Sequence, residues 1–259
     1  MPNSKAITAR TSGNRRKTKA TAGTRARATA DTVFERIVDA IRAHRLTPGT
    51  RLVEERLGAH FGVSRTIVRH GIVRLAQAGL VDMSPNRGAR IAWPDAARTR
   101  EVFDARLLIE TELAARAARA SDGAAVARLR AHLRLEDAAR AKGDRLELVR
   151  LTGVFHAIVA DLAGNATLAR TLAEYETVTC LALLAHARGG DSGCPPHEHA
   201  DIVAEIEARD AKRASSLMRA HLAHVLEGLD LTGAPEGLEA ALALPVVPTN
   251  RRRQTRSSR

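Results

Sequence analysis

One stretch restricts the fold of this chain more than any other: Arg51 to Ala78, RLVEERLGAHFGVSRTIVRHGIVRLAQA. It reads as two short helices joined by a tight turn. Leu52 and Leu57 give the first helix an apolar face, and Phe61-Gly62-Val63-Ser64 makes the turn. Gly62 can take a positive φ at no steric cost, Val63 packs inward, and Ser64 can cap the helix that follows. That second helix opens on Arg65 and Thr66 and keeps Val68, Ile72 and Leu75 on one side, at helical spacing. Arg65 and Arg69 fall on another side. A helix that buries its back and offers Arg and Thr from its first turns has the geometry of a helix-turn-helix recognition helix in a major groove. Arg can read guanine there as a bidentate donor. On this stretch alone, an ordinary helical hairpin with a solvated arginine face remains an alternative.

The residues that follow narrow the choice. Gly79-Leu80 ends the helix on a glycine. Leu80-Val81-Asp82-Met83 has a short strand pattern, Pro85-Asn86-Arg87-Gly88 a turn, and Ala89 to Trp93 a return strand. A hairpin after a recognition helix is a wing, here with Arg87 at its tip.

The run RLVEERLGAHFGVSRTIVR, with LAQAGLV and NRGARIA after it, resembles the winged helix-turn-helix of the GntR transcription regulators. GVSRT and the RGA of the wing are its most specific pieces. The resemblance implies that Arg65, Thr66 and Arg69 contact DNA, with Ser64 and His70 beside them, and that Arg87 and Gly88 form a minor-groove wing tip. The chain departs from the family's usual pattern at Ile67, where Pro is common, and at His70-Gly71, where Glu-Ala is common. Gly71 inside a helix costs about 1 kcal/mol relative to Ala, which suits a close helix contact. These departures bear on operator preference more than on fold.

Charge is distributed to match. The formal net charge is +12, but residues 1–30 hold eight Lys or Arg and residues 250–259 hold five Arg, with no acid in either. Residues 31–93 hold ten basic and six acidic residues, and residues 94–249 are net acidic. A basic module ahead of an acidic one suits nucleic-acid binding by the first. Both tails, 1–30 and 231–259, have the composition of disordered segments. They suit either salt-sensitive phosphate contacts or plain solubilisation. The N-terminal segment lacks the apolar stretch of a secretory signal, and no apolar run is long enough to span a membrane. Two cysteines, Cys180 and Cys194, suit a reducing compartment without a disulfide framework. The expected location is the cytoplasm, at the nucleoid when bound to DNA.

In chain order, Asp31 or Thr32 can cap a first helix running to about His44, with Val33, Phe34, Ile37, Val38 and Ile41 as its buried stripe. After a linker at 94–97 the pattern is helical almost to Asp230. Six segments are expected: Asp95–Arg119, Asp122–Ala141, Asp144–Ala163, Ala166–Ala187, Pro196–Ala208 and Ala211–Leu229. Asp or Ser near their starts and Gly143, Gly164 and Gly189 at their ends set the boundaries. The fold class is therefore mainly α: a winged helix-turn-helix of three helices plus a β-hairpin, then a six-helix bundle able to enclose a small cavity.

Arg106 with Glu110, Phe155-His156 with Ala163-Gly164-Asn165, Glu198-His199, Glu205, Arg209-Asp210, Ala214, Met218 and His221 resemble the FCD ligand-binding domain of the FadR-type branch of the same family. The similarity covers about 98–230. It implies a homodimerising, effector-binding domain in which His156, His199 and His221 bind a divalent metal such as zinc or nickel. The family's fourth ligand, usually Asp one turn before the first His, is Thr152 here, and a neutral hydroxyl is a poor substitute for a carboxylate. Three outcomes follow: metal held by three histidines and water, metal held weakly, or an organic ligand alone. Without the resemblance, three of ten histidines hydrogen-bonded in a bundle is the simpler reading. Arg106 suits either a carboxylate effector or a salt bridge to Glu110. Asn165 reads as a helix cap, and His197 and His224 as surface residues.

The sequence thus points to a homodimeric regulator, more often a repressor in such families. It would bind a palindromic double-stranded operator under control of a small organic acid, with Arg106 and Thr152 at the effector site. A metal-responsive regulator using the histidines as its sensor is the alternative. An architectural DNA-binding protein using its basic tails is another. An enzyme is disfavoured, because no general base accompanies the histidines.

Overall fold

The computed structural model describes residues 28–84, 87–187 and 197–232. The expectations for the tails, the Pro85-Asn86 turn, Gly189, Cys194 and a helix start at Pro196 lie outside the described residues, apart from the tail ends at 28–30 and 231–232.

The first helix, α1, is Ala30–Arg42. It starts earlier than expected because Thr29, and not Asp31 or Thr32, is its cap. The Thr29 hydroxyl accepts from the Thr32 amide, and the Thr32 hydroxyl accepts from the Thr29 amide. Val33, Ile37, Val38 and Ile41 are buried along it. Phe34, expected in that stripe, is only half-buried and lies beneath the Arg74 guanidinium, 4.6 Å from its ring centre.

Strand β1 (Arg51–Leu52) follows, then α2 (Glu54–Phe61), α3 (Arg65–Gln77), β2 (Val81–Ser84) and β3 (Gly88–Ile91). Leu52 was expected on the face of the first helix of the motif. It lies instead in β1, buried, paired across the sheet with Ala89. The wing is therefore a three-stranded antiparallel sheet in the order β1-β3-β2. Gly62 has φ +66° and its amide bonds the Gly58 carbonyl; this left-handed residue turns the chain between α2 and α3. The Ser64 hydroxyl accepts from the Ile67 amide and caps α3.

Gly71 explains the departure from the family pattern. A Cβ at this position would lie 2.8 Å from Val33 Cγ1 and 2.9 Å from Val33 Cβ, so α3 crosses α1 at van der Waals limit. The helix-propensity gain of alanine, about 1 kcal/mol, is outweighed here by overpacking, which typically costs about 1–3 kcal/mol. Gly71→Ala should therefore lower stability. A shift of the urea midpoint to lower concentration with an unchanged m value checks this; a stabilised variant would show that α1 yields freely.

Among the described residues the second module has six helices: α4 (Ala96–Ala120), α5 (Gly123–Ala141), α6 (Arg145–Leu162), α7 (Ala166–His186), α8 (Glu198–Glu207) and α9 (Ala211–Glu227). Asp95, Asp122, Asp144, Asn165 and Asp210 each cap the helix that follows through a side-chain oxygen. The 25-residue α4 runs through the bundle and packs on α6, α7, α8 and α9. The connection is shorter than 94–97, because Ala96 and Ala97 already form the first turn of α4. It is also tied down: His186 Nε2 on α7 donates to the Pro94 carbonyl at 2.6 Å, and its ring meets Trp93 edge-on. Apolar residues of the first module, from Ile37 to Ile91, form one cluster with Val102 of α4 and Val178 and Leu181 of α7. The two modules share a core.

Candidate functional site

The sequence-predicted DNA contacts, Ser64 included, are all exposed. Arg65, Thr66, Arg69 and His70 are exposed on α3, while Val68, Gly71, Ile72 and Leu75 bury the opposite side. Arg87 and Gly88 are exposed at the wing, with Gly88 at φ +78°. Arg65 rests on Glu55 of α2 at 3.1 Å. Both side chains are well exposed, so this pair is worth little and does not hinder a turn toward a base edge. Glu55 was not foreseen, because a Glu in the first turn of a helix is common on dipole grounds alone.

The second constellation lies inside the bundle. α6, α8 and α9 bring His156, His199 and His221 together, each almost fully buried. His221 Nε2 lies 3.3 Å from both His199 Nε2 and His156 Nε2. Every Nδ1 is turned to a carboxylate: His156 to Glu110, His199 to Glu136 at 2.9 Å, and His221 to Glu198 at 2.8 Å. Phe155 stacks on His199, with ring centres 3.8 Å apart.

This pattern fixes the proton positions. A carboxylate only accepts, so each Nδ1 carries the hydrogen and each Nε2 presents a lone pair. Three acceptors then face one another with no proton to share. Burial lowers the pKa of His199 and drives that of His221 down to about 3 despite the nearby Glu198, so these two rings stay neutral at neutral pH. Burial would raise Glu110 and Glu136. The Arg106 charge, then His156, pulls Glu110 down to about 2, and hydrogen bonds from His132 and then His199 do the same for Glu136. A divalent cation resolves such a cluster, and imidazoles oriented by carboxylates through the other nitrogen are the usual metal-ligating form. A separation of about 3.3 Å is also that of two nitrogens about 2.0 Å from one tetrahedral zinc. The residues present fit the group.

A cavity of about 520 Å³ opens beside the cluster, lined by His156, His221, Arg106 and Thr152 among others. Arg106 is fully buried; it makes the salt bridge to Glu110 and also lines the cavity. Nε donates to Glu110 Oε1 at 2.7 Å and Nη1 to Thr179 Oγ1 at 3.2 Å, while Nη2 lies 2.5 Å from Glu176 Oε1. That last approach is off the donor axis, so Nη2 and Oε1 both lack an aligned hydrogen-bond partner although buried. Burial, followed by the neighbouring Glu110 charge, pushes the Glu176 carboxyl up, against the pull of Arg106. The Thr152 hydroxyl donates to the Val149 carbonyl of its own helix at 2.8 Å. His197 and His224 are exposed.

Sequence reasoning missed Glu110, Glu136 and Glu198 as partners of the histidines, and Glu176 altogether. Two signals were available: His132 and Glu136, like Arg106 and Glu110, stand four apart on one helix face.

Comparison with known proteins agrees with this architecture. Residues 29–91 match the bacterial regulatory proteins described as the gntR family, and residues 101–224 match the FCD domain. An HTH-type transcriptional regulator from an unstable DNA locus of Streptomyces ambofaciens is 30% identical over 222 residues, 80% of this chain and 87% of that protein. The chain belongs to the GntR family. It is a DNA-binding transcription regulator with a C-terminal FCD domain, not an enzyme. It is also 26% identical to the transcriptional repressor RspR of Escherichia coli K12, over 71% of this chain and 81% of that one. Among solved structures, a GntR regulator from Rhodococcus sp. RHA1 superposes with TM-score 0.65 at 23% identity, covering 78% of this chain and 99% of that chain. E. coli McbR/YncC gives 0.64 at 18%, covering 77% and 98%. These likenesses show the fold. Among the described residues, no helix is long and apolar enough to cross a membrane.

Proposed function

We propose that this GntR regulator is a cytoplasmic homodimeric repressor whose grip on a palindromic operator is set by a small organic acid bound in the cavity, beside a divalent metal. The observation that carries this reading is the three facing Nε2 lone pairs, each locked by a carboxylate on the other nitrogen, at the wall of a cavity of drug-sized ligand dimensions. His156, His199 and His221 would hold zinc or nickel. When bound, the metal supplies a Lewis-acid anchor for a carboxylate oxygen. Glu110, Glu136 and Glu198 hold the rings in one tautomer and keep each Nε2 available. Arg106 neutralises Glu110 and lines the cavity, where its unaligned Nη2 is suited to a ligand oxygen. Thr152 leaves the anchor neutral at the position where the family usually has Asp, and this favours an anionic ligand to complete the charge. Ligand in the cavity alters the pose of the reading head, a coupling between two sites.

Metal analysis of the purified, untagged protein tests this. About one zinc or nickel per chain is expected, and its loss in His199→Ala. No metal after reconstitution would overturn the metal part and leave a purely organic ligand. Operator release by metal alone, with no organic acid present, would make the metal itself the signal.

A further inference from the structure

One wall of the cavity does not belong to the bundle. Asp39, Arg42 and Ala43, from the end of α1 and its C-cap, line it together with residues of α6 and α7. α1 is the first helix of the DNA-reading module, and its other contacts run directly to α3 through Val33 and Gly71. Nothing in the residue pattern of α1 marks any of its side chains as part of a ligand site.

Three arginines line the cavity, and they differ in how their charge is met. Arg106 faces Glu110 and Glu176. Arg150 donates twice to Glu147, at 2.7 and 2.6 Å. Arg42 is met only by neutral oxygens: Nε donates to Thr177 Oγ1 at 2.9 Å and Nη2 to the Ala173 carbonyl at 2.5 Å. It makes no ion pair among the described residues, and the exposed Asp39 at the cavity rim does not pair with it. A guanidinium has five donors arranged to fit a carboxylate. Arg42 is half-buried in a largely apolar cavity with donors uncommitted; no carboxylate among the described residues pairs with it directly, and Glu176, across the cavity lining, feels its charge only at a distance.

We propose that Arg42 is a ligand-binding residue supplied by the DNA-reading module, and that the ligand is a dianion with one anionic group at the histidine end and the other on Arg42. The inference rests on the reading of the cavity as the effector site. It adds a second anchor point, a charge class, and a route of communication. A carboxylate that takes Arg42 competes with Ala173 and Thr177 of α7 for the guanidinium, and so acts on a polar contact between α1 and the bundle. A ligand shifts the reading head only by as much as it distinguishes its two poses, and Arg42 is where such a distinction is made.

The test uses the full-length, zinc-reconstituted protein and two probe series: the dicarboxylates succinate, adipate and suberate, and the monocarboxylates of matching chain length. Binding is measured by calorimetry, and operator affinity by fluorescence anisotropy. At least one dicarboxylate should bind about tenfold or more tightly than its monocarboxylate, the worth of one charge-assisted hydrogen bond. It should also change operator affinity. Arg42→Gln should erase that advantage, leave the monocarboxylate affinity unchanged and abolish the effect on operator. Arg42→Lys, which keeps the charge, should retain part of both. Equal affinities for the two series, an Arg42→Gln variant that binds as wild type, or a lack of binding by every probe would each overturn the proposal. If the monocarboxylates still bind and lose affinity in His199→Ala while Arg42→Gln changes nothing, the histidine site stands and the role of Arg42 falls.

Discussion

Replacing Arg65 and Arg69 together by alanine should abolish operator recognition and leave the folded protein intact. Both side chains are exposed on α3, and neither takes part in the core that Val68, Ile72 and Leu75 form with α1. Their truncation therefore removes no packing, and Arg65 loses only a solvent-exposed pair with Glu55. If each reads a base edge as a bidentate donor, each contributes about 1–3 kcal/mol of discrimination. Removing both then costs about 2–6 kcal/mol, or about 1.5 to four orders of magnitude in affinity for the specific site. The operator is first selected from a randomised duplex pool by the wild-type protein, and the variant is then compared on it by mobility shift at fixed salt. The melting temperature should not move. Sequence-specific binding that survives would mean that another surface reads the operator, with the tails or the wing as the first places to look. Loss of specific binding with weak, salt-sensitive binding retained is the expected result, because phosphate contacts do not depend on these two side chains.

The parts of this molecule legible in the sequence are those set by local chemistry. Five of the six bundle helices begin on an Asp or Asn whose side chain caps the first turn, and that signal needs no tertiary context. Gly62 and Ser64 worked the same way at the turn between α2 and α3. Strand β1 was not legible, because two residues carry no period and Leu52 is equally apolar on a helix or a strand. The convergence of His156, His199 and His221 was legible only through resemblance, since nothing in their spacing says that three helices bring them together. Their carboxylate partners illustrate the deeper limit. A Glu on a helix ordinarily faces water, so nothing local marks Glu136 as buried, and Glu110 stands out only as a salt-bridge partner for Arg106. In the folded chain they are buried, each held by a residue four away on its own helix, Arg106 or His132, and by a histidine of another helix, His156 or His199, that only packing supplies. Arg42 is the same case reversed: a helix-terminal Arg placed well for the dipole, which the shared core of the two modules turns into a cavity residue.

Arg106 separates burial from geometry as the source of stability. Arg106–Glu110 and Arg116–Glu112 are both pairs four apart on α4, and both close at 2.7 Å. The first is 2% exposed on each side and the second nearly half exposed. Arg116→Leu should cost no more than about 1 kcal/mol, as expected for a pair screened by water. Arg106→Leu should cost about 3–5 kcal/mol, because it strands buried Glu110 beside the partly buried Glu176 with no guanidinium between them. Urea unfolding of the two variants under the same conditions measures the difference. Arg106→Leu should also reduce metal retention, since Glu110 orients His156 and would lose the charge that holds it in place. Equal losses for the two variants would show that the α4 site is wetter than its packing indicates. A small loss for Arg106→Leu alone would mean that the bond His156 Nδ1 already makes is enough to hold Glu110.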